Sequence, residues 1–363
     1  MKIKDLYFEP IIEKAISFNN KIYFMANNYN MLFSIDIESG QYDSVGQLLY
    51  ENTSAYGLVG SIIRVENELI LGGVNAKNNY KFLIDTGNII CLKNSEFGRD
   101  VDSLICITDW DGEVNLVTVP VHGKRINIYS YNDLKLKRTF EITDEYIEKV
   151  GCNYKTLCVS KASYLSNSVF FPSFEKGLLF EITKSNLLIH IIDNCENGII
   201  NFEGVENIGC CICNNNKIVI YDLVEKKVKK YFDLDIDITQ FRKQVVIGSK
   251  IIFFSLYNNS IITFDIYSYE LGLGTINQYF NINQSEKIIF LIRDDKYLFF
   301  KDSEVLVIYE IETQKYKKTI LKCNCGQIGN TIYKTLLSRK NEIIYEHDKW
   351  CKLPLLFDIV MNN

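Results

Sequence analysis

Few of the residues and patterns that announce chemistry are present in this sequence. It holds three histidines, His122, His190 and His347. It has no Gly-x-Ser-x-Gly elbow, no His-Glu-x-x-His pair, no P-loop and no dinucleotide fingerprint, so the local signatures of serine hydrolases, zinc proteases and nucleotide-binding enzymes are missing. The run "GLGTIN" after Glu270 has the glycines of a phosphate loop, but no helical pattern follows it. No window approaches the roughly 18 apolar residues that a membrane-crossing helix needs. The opening stretch, "MKIKDLYFEPIIEKAISFNN", has no apolar core of signal-peptide length, because Asp5, Glu9 and Glu13 interrupt it. These absences point to a cytoplasmic protein without membrane association. Its 11 cysteines are then expected as reduced thiols, and the sequons at Asn52, Asn258 and Asn283 carry no meaning.

Bulk charge is also uninformative in one useful way. A formal net charge of −5 and a pI near 5.5 give no general attraction to nucleic acid or anionic lipid. Aromatic residues, by contrast, are plentiful, with 23 Tyr and 22 Phe in a chain that is 47% hydrophobic. Such side chains suit a pleated, half-buried surface and favour strands. The 363 residues suffice for two ordinary domains or one large repeat architecture.

A repeat is there. An apolar-then-acidic step recurs at Ile35-Asp36, Ile84-Asp85, Phe180-Glu181, Tyr221-Asp222, Phe264-Asp265, Tyr309-Glu310 and Phe357-Asp358, with Tyr129-Ser130 in the same place between the second and third of these. The eight copies are spaced 41 to 51 residues apart. Their flanks alternate with strand rather than helix periodicity, as in "LFSIDI" and "VLVIYEI". Each copy is preceded by another apolar run, such as "KIYFMA" or "KIIFFSL", and the first seven are followed by a third, such as "KVKKYFDL". A further run often comes before the set. Four short strands per period, joined by Asn, Gly, Asp and Ser turns, is the composition of a propeller blade. The expectation is an all-β, single-domain β-propeller over residues 1–363 with eight four-stranded blades. Seven is the alternative if one weak copy, the third, is not a full blade. The last copy has only three strands before the chain stops, so Lys2–Pro10 is expected to supply its missing outer strand and close the ring. The repeated acid is expected to accept hydrogen bonds from a neighbouring turn.

The phrase "NMLFSIDIESGQ" resembles the strand-turn-strand of quinoprotein-like and Kelch-like propellers, and "NELILGG" resembles a Kelch glycine doublet. The doublet occurs at Gly72-Gly73 alone, and the repeated Trp-Asp dipeptide of WD-like proteins is reduced to Trp110-Asp111. The resemblance implies the architecture and carries over no cofactor-binding residues, so no cofactor is expected.

Three clusters invite a chemical reading. Cys323, Cys325, His347 and Cys351 could complete a Cys3His zinc site, but Cys-x-Cys is tighter than the usual spacing and free thiols are the default. In "CCIC", alternation puts Cys211 and Cys213 on one face and Cys210 on the other, as small buried hydrophobes. "DWDGE" begins like a calcium loop, yet lacks the later ligands and reads as a strand-joining turn. No metal is expected.

In a propeller the loops between second and third strands gather with the interblade connections at one end of the channel, where ligands bind. Those loops, "VPVHGKR", "PSFEKG", "SLYNNS" and "EHDKWCKLP", carry His122, Lys124, Arg125, Lys176, Tyr257, His347 and Trp350. The interblade segments add Arg99, Tyr154 and Arg242. Basic and aromatic residues together suit an acidic peptide, a phosphate or a sugar. The functional expectation is an intracellular binding or protein-interaction scaffold with a protein, peptide or carbohydrate ligand. The alternative is an enzyme whose site lies in the channel mouth and acts on a carbohydrate or similar polar small molecule. An enzyme requires ionisable groups converging at that end.

Overall fold

The structure is a computed structural model that describes residues 12–26, 31–48, 59–73, 78–92, 103–120, 123–143, 163–165, 167–174 and 176–323. The chain is an all-β propeller whose described residues form seven four-stranded blades, each a simple meander of antiparallel strands. The strands form where β-branched and aromatic residues alternate, and the turns fall on Asn, Asp and Gly. Asn19 and Asn20 both adopt positive φ in the first hairpin, and Asp111 and Gly112 do so in the third. That is the geometry a two-residue hairpin needs to match strand twist, so "DWDGE" is a turn.

The third sequence copy, expected to be the weak one, is a complete blade. The copy at Phe357-Asp358 and the proposed closing strand Lys2–Pro10 lie outside the described residues, as do 144–162 within the long stretch between the third and fourth copies. Among the described residues there are seven blades, which matches the stated alternative rather than the eight expected.

Two compact units make up the chain. One comprises residues 1–94 and 291–363, the other residues 95–290. The first holds blade one, with β1 (Ile12–Phe18), β2 (Lys21–Ala26), β3 (Met31–Asp36) and β4 (Gln41–Gln47). It also holds blade two, with β5 (Val59–Val65), β6 (Glu68–Gly73), β7 (Asn79–Leu83) and β8 (Asn88–Leu92). Their shared core is built on Tyr23, Leu32, Leu69, Leu71, Tyr80 and Phe82. The second unit holds blade three, with β9 (Ser103–Trp110), β10 (Glu113–Pro120), β11 (Arg125–Ser130) and β12 (Leu136–Glu141). Blade four follows with β13 (Ser163–Leu165), β14 (Ser168–Pro172), β15 (Leu178–Ile182) and β16 (Leu187–Ile191). Blade five has β17 (Ile199–Val205), β18 (Ile208–Cys213), β19 (Lys217–Asp222) and β20 (Lys227–Asp233). Blade six has β21 (Phe241–Ile247), β22 (Lys250–Ser255), β23 (Ser260–Asp265) and β24 (Glu270–Thr275), trailed by a short helix α1 (Ile276–Phe280). Blade seven belongs to the first unit apart from the first two residues of its opening strand, and has β25 (Ile289–Arg293), β26 (Tyr297–Asp302), β27 (Val305–Glu310) and β28 (Lys315–Ile320), followed by β29 (Lys322–Cys323).

Burial orders the strands within a blade. The second and third strands are covered on both faces, as in β18 and β19, while fourth strands such as β12, β20 and β28 are largely exposed. The first strands stand next to their counterparts in the following blade. Asn201 Nδ2 on β17 donates to Phe241 O on β21 at 3.1 Å, and Ser163 Oγ on β13 donates to Phe202 O on β17 at 2.9 Å. In the first unit, blade seven meets blade one at the fourth strand: β29 pairs in parallel with β4, and Lys322 N donates to Gly40 O at 2.8 Å.

The repeated acid does what its position predicts. Asp36 Oδ1 accepts from the backbone N–H and hydroxyl of Ser39, both at 2.8 Å. Asp222 Oδ1 accepts from Val224 N and Glu225 N at 2.9 and 2.7 Å, and Asp265 Oδ1 from Tyr267 N and Ser268 N at 3.0 and 3.2 Å. Each carboxylate closes the turn between third and fourth strands. The backbone N–H groups of Ser39, Glu225 and Ser268 hold Asp36, Asp222 and Asp265 below the usual carboxylate range. Depressed values mean the contribution is complete above the unfolded carboxylate value near pH 4 and fades as pH falls through the lowered folded values. Replacing all three by Asn should therefore lower the melting temperature at neutral pH and leave a smaller difference below about pH 4. A difference that stays constant across this range would contradict the role.

Candidate functional site

A meander with four strands returns the chain to the end from which it started. The turn between second and third strands and the connector to the next blade must therefore lie at the same end, called here the loop end. Backbone hydrogen bonds in the second unit bear this out. Ile199 N, leaving the blade four-to-five connector, donates to Ser173 O in the blade-four loop at 2.8 Å, and Asn214 N in the blade-five loop donates to Gly198 O at 2.9 Å. In blade six, Leu256 N donates to Gln240 O at 3.1 Å, while Gln240 Oε1 accepts from Ser255 Oγ at 3.0 Å and Asn258 Nδ2 at 3.4 Å. Each connector is thus laced to the adjoining loop.

Five of the expected site residues fall among the described ones, all in the second unit. Lys124 and Arg125 sit where the blade-three loop enters β11, Lys176 is exposed at φ +55° in the blade-four loop, and Tyr257 tips the blade-six loop with 77% exposure. Arg242 is the second residue of β21 and donates from Nε to Thr239 O at 3.1 Å. Gln240 joins the connector bearing Arg242 to the loop bearing Tyr257. His122, Arg99, Tyr154, His347 and Trp350 lie outside the described residues. The connectors also expose acids that the basic-and-aromatic reading passed over, namely Asp193, Glu196, Asp235 and Asp237.

Of the cysteine-histidine cluster only Cys323 is described, by its backbone in β29; Cys325, His347 and Cys351 are not. Among the described residues no group of three or more His, Cys, Asp or Glu side chains is arranged to hold a metal ion. The "CCIC" parity holds: Cys210 packs in the core shared with blade six, whereas Cys211 and Cys213 pack in the core shared with blade four. One expectation fails here. Cys213 is not a free thiol but is joined to Cys195 in the blade four-to-five connector. Cys210 and Cys211 are thiols, and Cys106 Sγ donates to Val117 O at 3.6 Å.

Sequence reasoning missed the most concentrated polar node. His190 Nε2 lies 2.8 Å from Glu181 Oε2, Ser168 Oγ donates to Glu181 Oε1 at 2.8 Å, and Tyr221 Oη lies 3.4 Å from His190 Nδ1. Ser168, His190 and Tyr221 are buried, and burial pushes the Tyr221 phenol up to about 12. In blade four, then, the repeated acid serves a serine and a histidine rather than its own turn. Ser168 bonds the carboxylate and not the imidazole, so no nucleophile–base contact exists within this group. It runs across second, third and fourth strands, from Ser168, which pairs with Leu165 of the first strand, to His190, which pairs with Leu179. It is a structural node between blades four and five.

No protein-family model matches the sequence, and no characterised protein matches it by sequence. Among solved structures the chain is similar to the computationally designed Ika8 protein, at 11% identity and a TM-score of 0.54 over 87% of this chain and 90% of that one. It is similar to the CNH domain of AfRom2 at 10% identity and a TM-score of 0.53, covering 82% and 91%. It is also similar to PorZ, a surface component of the type-IX secretion system of Porphyromonas gingivalis, at 12% identity and a TM-score of 0.53 over 86% of this chain. The match takes in 38% of the PorZ chain. At such identities the likeness is one of fold, the β-propeller. No helix among the described residues is long and apolar enough to cross a membrane.

Proposed function

We propose that this protein is a binding scaffold, of the quinoprotein-like or Kelch-like kind in its repeat, that works in the cytoplasm and recognises a protein or peptide partner through its loop end. What supports the reading is the lacing of connectors to loops. Gln240 accepts from Ser255 and Asn258, so the loop that carries Tyr257 is held from beneath while its aromatic ring stays in solvent. A large exposed aromatic on a loop already fixed by its neighbours loses little entropy on binding, which is what makes such residues effective anchors. Arg242, two residues from Gln240, and Lys176, on the blade-four loop at the same end, add cationic groups, and the exposed connector acids give a partner both signs to read.

The test compares two surface variants as bait in cross-linking mass spectrometry. Lys176→Ala/Arg242→Ala/Tyr257→Ala alters the loop end, and Lys184→Ala/Tyr267→Ala alters the opposite turns. Both should melt like the parent. Partners cross-linked to the parent should be lost from the first variant and kept by the second. The reverse pattern would overturn the assignment.

A further inference from the structure

We propose that Cys195 and Cys213 form a redox-controlled staple that fixes the connector between blades four and five to the loop end of blade five. The two residues are completely buried, 18 residues apart in sequence, with Cα atoms 5.3 Å apart. That separation suits a disulfide without backbone movement. The connector they hold is packed to backbone contact on its other side. Ile192 N donates to Gly177 O at 2.6 Å, and Gly198 N donates to Cys195 O at 2.8 Å. A Cβ at Gly177 would lie 2.5 Å from Ile192 O and 2.8 Å from both Cys195 Cβ and Cys195 O, so only glycine lets the connector approach. The sulfur bridge and the glycine contact therefore clamp the same few residues from two directions.

The pairing is selective. Cys210 faces the opposite core, and Cys211, though on the face of Cys213, remains a thiol while Cys213 takes Cys195 as its partner. Asp193, Glu196 and Asn197 around Cys195 are exposed, which puts the connector itself at the protein surface. Opening of that short segment is the route by which a small oxidant reaches the thiols. In the reaction the two thiols give up two electrons and two protons as the S–S bond forms. Hydrogen peroxide takes them, its O–O bond breaks, and two waters leave. A dithiol reductant returns the electrons and protons. The staple governs order at the loop end whether or not that end binds a partner.

Full-length protein reduced with dithiothreitol is divided, one half being treated with hydrogen peroxide and both halves then alkylated. The oxidised half should yield the Cys195–Cys213 cross-linked peptide. Amides of residues 192–199 and 213–216 in the oxidised half should exchange with deuterium at least about tenfold more slowly than in the reduced half. The same contrast should persist in Cys211→Ser and vanish in Cys195→Ser. Three results would overturn the proposal: no cross-link on oxidation, equal exchange in the two forms of the parent, or a bridge that dithiothreitol fails to open in the folded protein. The parent's two forms carry the test even if a variant fails to fold.

Discussion

Replacing Gly40 with alanine should lower the free energy of unfolding by about 2–5 kcal/mol. Gly40 has φ +72°, and a Cβ added there would lie 2.0 Å from the carbonyl oxygen of Ile320 and 2.9 Å from its carbon. Both atoms are backbone, so no side chain can swing aside. The left-handed conformation costs an alanine about 1–2 kcal/mol, and the overlap adds about 1–3 kcal/mol more if the strand is to shift. What shifts is the joint between the last described blade and the first. Lys322 N donates to Gly40 O, Thr319 Oγ1 donates to Ile37 O at 3.1 Å, and β29 pairs with β4 just beyond. Gly87 supplies the control. It stands in the equivalent turn of blade two at φ +70°, but nothing lies within 4 Å of its added Cβ. Gly87→Ala should therefore pay the conformational cost alone, about 1–2 kcal/mol. Denaturant melts of the two variants measure the difference directly. If Gly40→Ala is no worse than Gly87→Ala, blade seven does not meet blade one at this turn.

That joint also shows why the blade count was harder to read than the blade. A copy advertises itself locally, through alternation and in several blades a turn-closing acid, because the strands of one blade are contiguous in sequence. Asp36, Asp222 and Asp265 act within three residues of themselves, so their role was legible. Whether the ring takes up seven copies or eight depends on where β28 ends up relative to β4. Residues nearly the whole length of the chain apart decide it, and no period encodes that. The cysteines divide in the same way. Strand parity placed Cys210, Cys211 and Cys213 on their faces, but Cys195 sits in an irregular connector with no period to locate it. That second-to-third-strand loops and connectors share an end was legible from topology, since a four-stranded meander returns the chain to the end from which it started. The exposed acids of the connectors follow from connector paths that the pattern does not specify.

Glu181 is the copy of the repeat that departs from the rest, and its removal should reveal the difference. In register, Glu181 pairs with Leu188 and with Phe170, which makes His190 and Ser168 its diagonal neighbours on the two flanking strands. Such diagonals lie within reach of long side chains, and here both polar groups bond the one carboxylate. Tyr221 then reaches the far side of the imidazole from blade five. Glu181→Ala would strand His190 Nε2 and Ser168 Oγ in a site where neither meets water, at a cost of about 3 kcal/mol or more. The combined change Ser168→Ala/Glu181→Leu/His190→Phe removes the carboxylate with both groups that bond it, keeps the volume apolar and, although Tyr221 Oη loses its long contact, should be milder than Glu181→Ala, within about 2 kcal/mol of the parent. The single variant being worse than the triple is the signature of a satisfied network rather than of lost packing. Urea melts of the parent, the three single variants and the triple provide the comparison, with the exposed Glu196→Ala as the reference for loss of a surface charge. A Glu181→Ala variant as stable as Glu196→Ala would mean the node contributes nothing. A triple variant worse than Glu181→Ala would mean that shape, and not hydrogen bonding, is what blades four and five require there.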